Sequence, residues 1–386
     1  MYFFEWGMWQ AAIQPEKDRT HDKQHEKLID EARPYESDQY EELAAAKISA
    51  SKNPKTRGPV YAFDKQILEI RSGMLEEKRG LISILSAMLI FLIANGFAGI
   101  VAGTIGTMDY FHNTGDIATG YLWMALWLTT LTIPTTWFYL KYGLRFTRLE
   151  MFTSRHLLIR FNRATQQVYI HRPSHCGGIV TLPWAGVTST GSANKYALAD
   201  GVGLPLALNW SARVTGTFYP QMAWVGKSAN HQGEIRDEWE FIRRFMDEGP
   251  EGLPRPRITS HFPWPWQAFT PQFEGVTHYF RNASKLIKVG LVLISPAFLI
   301  IGTGHWLSLL LCWKPRWPKI IRQAGMPGKP VPPLTTLADY PPHIQQRLRE
   351  NAHLWTAHPG QRPEKKPRAP SKRRSTDAKP ASKAKP

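Results

Sequence analysis

Cysteine is nearly missing: two in 386 residues, Cys176 and Cys312. Two thiols, one in a loop and one in an apolar stretch, exclude a disulfide framework and a four-cysteine metal cage. His171, His175 and Cys176 sit close together, but Pro173 interrupts them and no second pair stands at ligand spacing. There is no Gly-x-Ser-x-Gly elbow. Gly325-Met326-Pro327-Gly328-Lys329 lacks the spacing and the hydroxyl residue of a phosphate loop. The first 13 residues have no basic leader and no small-residue cleavage site, so they do not read as a secretory signal. Their aromatic residues, Tyr2, Phe3, Phe4, Trp6 and Trp9, suit a headgroup layer or an unstructured start. Acids are scarce as well: 31 against 48 Lys and Arg, a net charge of +17.

The most consequential absence is that of charge from two long runs, Leu81 to Ile105 and Ile117 to Leu140. Hydrocarbon cannot satisfy peptide N–H and C=O groups, so an apolar run that crosses a bilayer must do so as a helix. About 20 residues suffice. Thirteen Leu, Ile, Val or Phe in the first run supply about −4 to −8 kcal/mol of insertion free energy. The runs therefore predict a transmembrane hairpin over 81–140. Its eleven-residue loop carries Asp109 and Asp116 but no Lys or Arg, whereas Lys78, Arg79, Lys141, Arg145 and Arg148 flank the outer ends. The positive-inside rule then places both ends in the cytoplasm. Gly99 and Gly103 form a small-residue stripe that serves either the partner helix of the same hairpin or a second copy of the chain.

A third uncharged stretch, Val289 to Trp313, contains Pro296, Gly302 and Gly304, and both of its flanks are basic. It either crosses once or re-enters. Residues 1–80 read as a cytoplasmic helical region. Residues 141–258 read as a cytoplasmic domain, with strands near 157–161, 167–172, 179–184, 204–210 and 215–225 and an amphipathic helix over 234–247. The fold class expected is an α+β membrane protein: a helical hairpin, then a strand-rich, pleckstrin-homology-like domain with a closing helix, then a third apolar segment over 259–325. Trp184 and Trp239 are its expected core anchors. Arg160, Arg163 and Arg172 are the candidate contacts for lipid headgroups or an acidic partner. Residues 326–386 read as a disordered, Pro-rich polybasic tail. From Gly360 onward ten Lys or Arg stand against Glu364 and Asp377, which first suits a solvated tail that aids solubility and orientation, then attraction to anionic lipid or nonspecific, salt-dependent contact with nucleic acid, with no sequence-specific reading.

The strings Ile159-Arg160-Phe161-Asn162-Arg163, Val168-Tyr169, Trp184, Trp239 through Met246, Glu248-Gly249-Pro250 and Pro315-Arg316-Trp317-Pro318 carry a resemblance. Over roughly residues 60 to 325 the chain resembles an uncharacterised family of proteobacterial inner-membrane proteins, often encoded beside type VI secretion effectors and their spike and adaptor genes. The resemblance implies a multi-pass inner-membrane immunity or accessory factor. It implies no catalytic residue and no cofactor. The expected function is non-enzymatic binding of a protein partner, a cognate effector or secretion component, through the cytoplasmic domain, with membrane lipids as further partners and a homo-oligomer open. The alternatives are a lipid-binding scaffold unrelated to toxins and a membrane-bound enzyme.

Overall fold

The computed structural model describes residues 1–15, 27, 30, 31, 33–74, 76, 79–193, 203–273 and 280–363. Eight antiparallel strands form one sheet: β1 (Val60–Phe63), β2 (Ile67–Ser72), β3 (Leu157–Asn162), β4 (Gln167–His171), β5 (Val180–Pro183), β6 (Thr188–Ser189), β7 (Leu206–Trp210) and β8 (Gln221–Val225). Their order is β5-β4-β3-β2-β8-β7-β6, with β1 pairing β2. The turn Asn162-Arg163-Ala164-Thr165 joins β3 to β4 where the side-chain amide oxygen of Asn162 accepts from Thr165 N.

One face of the sheet is closed by an amphipathic helix. After α1 (Phe3–Ile13), α2 (Glu36–Ala46), α3 (Leu81–Thr114) and α4 (Thr119–Phe138) comes α5 (Gln232–Asp247). It buries Ile235, Trp239, Ile242, Phe245 and Met246 against Leu68, Ile70, Ile159, Phe161 and Leu208, the helical spacing of a core-facing stripe. Trp184 and Trp239 lie together in this core with ring centroids 5.5 Å apart, and Trp184 Nε1 donates to Asp247 Oδ1 at 2.9 Å.

The stretch 1–80, expected to be helical, contributes β1 and the central strand β2. The alternation that marks a strand is present, since Leu68 and Ile70 face the core. Glu69 and Arg71, which face the other way, are buried as well. That second face is covered by the segment after the last apolar helix, whose Trp317, Ile321 and Ala324 pack on Tyr61, Leu158 and Tyr169.

Helices α3 and α4 form a hairpin inserted between the paired neighbours β2 and β3. Helix α3 runs through Asp109 to Thr114, so the connection is much shorter than the eleven residues expected. A five-residue π turn, Tyr139–Gly143, follows α4. The chain next forms α6 (Pro265–Phe273), α7 (Lys285–Leu310) and finally α8 (Pro342–Glu350). Helices α3 and α7 are each long and apolar enough to cross a membrane, and few of their residues are covered by protein.

Helix α7 settles the path of the third apolar stretch within the molecule. It is one continuous helix despite Pro296. Its last turn reaches the sheet domain, where Arg155 N donates to Trp313 O at 2.7 Å. Thr259 also lies on the domain, donating to Val60 O at 2.7 Å. The chain therefore leaves the sheet after Thr259 and returns along α7, and the described residues beyond Trp313 lie on the same side as the sheet. Residues 326–363 differ from the disordered tail expected. Leu337, Tyr340, Ile344, Leu348 and Trp355 pack around Trp9 and Ala12 of α1, because this stretch holds enough apolar side chains to dock. The basic residues from 364 onward lie outside the described residues.

Candidate functional site

The apolar helices meet the sheet domain at a buried arginine. Arg79, 1% exposed, donates from Nη1 to Glu76 Oε1 at 2.9 Å, from Nε to Ser308 Oγ at 2.7 Å and from Nη2 to the Glu150 carbonyl at 2.9 Å. Nη2 also reaches Cys312 Sγ at 3.2 Å. One side chain thus ties the start of α3, the end of α7 and the chain following α4. Burial alone would raise the Glu76 carboxyl, but the Met1 amino group and Arg79 hold it well below the usual carboxylate range. The Glu150 carboxylate caps α3 from outside the helix. Its Oε2 accepts from Gly80 N at 3.1 Å, Ser83 N at 2.9 Å and Ser83 Oγ at 2.8 Å, satisfying donors that a helix start leaves open.

The same junction is a point of very close backbone approach. Gly80 has φ +114°, and a Cβ there would stand 2.6 Å from His305 N and Ile301 O. Opposite it, a Cβ on Gly304 would stand 2.6 Å from Gly80 O. Both positions require glycine.

Beside the junction opens a basic cleft of about 770 Å³. Arg160 forms its wall, held by Glu69 Oε2 at 2.7 Å and set over the Trp317 ring at 5.0 Å, while Trp317 Nε1 donates to the same carboxylate at 2.9 Å. Lys314, Arg316, Lys319 and Arg322 complete the lining. All four are exposed, and among the described residues none has an ion-pair partner. His261, also in the lining, has its pKa lowered by burial and then by Lys314.

The three arginines expected to act together are apart. Arg160 belongs to this cleft. Arg163, at the β3–β4 turn, reaches the Glu248 carbonyl at 3.4 Å and packs near Gly249. Arg172 is 5% exposed and donates to Gln221 Oε1, so its charge is turned inward. Gly99 and Gly103 face α4 of their own hairpin: a Cβ on Gly99 would meet Leu128 Cδ1 at 2.5 Å, and one on Gly103 would meet Ala125 Cβ at 3.1 Å. Gly96 and Gly106 extend the stripe against Thr132 and Tyr121.

The His171, His175 and Cys176 group does not converge on a common centre. His171 packs edge-on to Trp317 with Nε2 3.3 Å from Arg316 O, and Cys176 packs with Tyr2, Leu149 and Leu157. Burial pushes the Cys176 thiol up to about 12, which suits a packing residue rather than a nucleophile. Among the described residues no three His, Cys, Asp or Glu side chains group as metal ligands. The cleft cations Lys314, Arg316, Lys319 and Arg322 are the basic flank that follows the third apolar stretch in the sequence, where they read as an orientation signal and not as a site.

Residues 135–326 match a family model described as a family of unknown function, DUF6708. The chain is similar to that family over just under half its length. The matched stretch takes in strands β3 to β8, α5, α7 and the cleft segment, and it leaves β1, β2 and α3 outside. No curated protein and no solved structure matches the chain.

Proposed function

We propose that this chain is a non-enzymatic, multi-pass inner-membrane protein that holds a pleckstrin-homology-like sheet domain rigidly at the cytoplasmic face, where the domain binds a protein partner. The observation that carries the reading is the Arg79 junction. A guanidinium buried against Ser308 of α7, Glu76 ahead of α3 and the Glu150 carbonyl ahead of β3 supports domain and helices moving as one body rather than as beads on a linker. The exposed apolar surfaces of α3 and α7 support immersion in lipid, since a core helix of a soluble protein buries its apolar face. The absence of positive charge between α3 and α4, against the arginines at the sheet end, supports the cytoplasmic side. The order of an antiparallel sheet closed by α5 supports the domain type.

The secretion setting follows from the sequence resemblance. In that setting the chain is an immunity or accessory factor whose partner is a cognate effector or secretion component. So short an outer connection offers little to bind a toxin outside the membrane, so the toxin would act in the membrane or the cytosol. The test is deletion of the gene in a strain carrying its neighbouring effector gene. Sibling killing supports immunity. Unimpaired survival with lost effector secretion supports the accessory role, and no effect on either removes both.

A further inference from the structure

We infer that the basic cleft binds the phosphate of an anionic phospholipid headgroup. The inference rests on the membrane reading of α3 and α7, and three observations carry it. The first is charge: Glu69 is spent on Arg160 and Trp317, which leaves Lys314, Arg316, Lys319 and Arg322 uncompensated around one cavity. Converging Arg and Lys side chains around a shaped opening are the donors that phosphate oxygens take.

The second is depth. Lys314 follows the end of α7 at Leu310 by four residues. Trp306 Nε1 donates to Pro263 O at 3.0 Å, which fixes the stacked, exposed pair Trp264 and Trp266 beside the last turns of that helix. Exposed tryptophans at a helix end mark the headgroup layer, so the cations lie at headgroup depth. The third is continuity with apolar surface: Leu310, Leu311 and Trp313 are all substantially exposed next to the cleft. A lipid bound by its phosphate would lay its acyl chains along them, and a soluble phosphate would gain nothing from that surface.

The full chain, purified in neutral detergent, is offered phosphatidylglycerol or phosphatidylcholine, and retained lipid is counted by native mass spectrometry. Retention of phosphatidylglycerol should exceed phosphatidylcholine by about tenfold or more. The triple variant R316Q/K319Q/R322Q should lose that preference. K379Q/K383Q/K385Q, which removes the same charge from the chain's end, should keep it. A cleft variant that keeps the parent's preference for phosphatidylglycerol, or loss of preference only in the end variant, overturns the inference. Displacement of phosphatidylglycerol by millimolar inorganic phosphate would show a soluble-anion site and overturns the lipid assignment. Thermal melting of each variant separates lost binding from lost folding. An alkaline wash of membranes separates the two readings, since release of the unmodified chain would sink membrane insertion itself, whereas a chain that stays in place with no lipid preference sinks only the cleft.

Discussion

Arg79 is a charge removed from water on three sides, and its worth lies in the partners it would abandon. Truncating one member of a buried ionic network typically costs about 3–5 kcal/mol because the opposite charge is left unpaired. Arg79→Ala should lower the thermal midpoint sharply in detergent. Arg79→Lys should recover only part of the loss, because an ammonium cannot reach Ser308, Glu76 and the Glu150 carbonyl together. Equal melting of the alanine variant and the parent would remove the junction from the account. Glu238 is a second residue-scale test. It is fully buried beneath Gly226, and burial, opposed by a hydrogen bond from Arg57 N, pushes its carboxyl up to about 8. The unfolded chain releases that proton near pH 4.5 while the folded chain keeps it, so stability from this group falls as pH rises from there to about 8. Glu238→Gln should be more stable than the parent by on the order of 5 kcal/mol above pH 8. The gap should close below pH 5, and denaturant unfolding at a series of pH values reads both.

Among the elements, the apolar runs and strands β3, β4, β5 and β7 were legible because their patterns are local: length without charge, or apolar residues bounded by turn residues. Strands β1 and β2 were not. β2 does alternate, Leu68 and Ile70 against Glu69 and Arg71, but the run is short and charged, and the groups that cover its charged side, Trp317 and Arg160, arrive from far along the chain. Gly302 and Gly304 show the same limit differently. In the sequence they read as weak points of a helix; in the fold they admit Phe269 and the Gly80 carbonyl at distances no side chain allows. Gly304→Leu should therefore separate α7 from α3 and cost about 2–4 kcal/mol through overpacking and loss of the junction. Gly290→Leu, where a Cβ would meet nothing within 4 Å, should be neutral. Thermal melting of the pair checks both, and equal losses would contradict the packing role.

At the scale of the whole molecule the chain makes two apolar excursions, α3–α4 and the path up to and down α7, and both begin and end at the sheet. The sheet, the cleft segment and the α1–α8 layer therefore lie together at one end of the apolar helices. Sequence reasoning left that point open for the third stretch because Lys285 and Lys288 on one flank, and Lys314 and Arg316 on the other, attract both ends inward alike. Within the molecule, the contacts of Trp313 with Thr153 and Arg155 bring the end of α7 back to the sheet. The most direct measurement is labelling of intact cells with a membrane-impermeant thiol reagent. Cys176 and Cys312 are buried, so single cysteines can be introduced at Gly115, between α3 and α4, and at Lys65, in the β1–β2 turn. The account predicts labelling at 115 in intact cells and at 65 only after the membrane is broken. Labelling at 65 from outside, or at neither position until lysis, would contradict it.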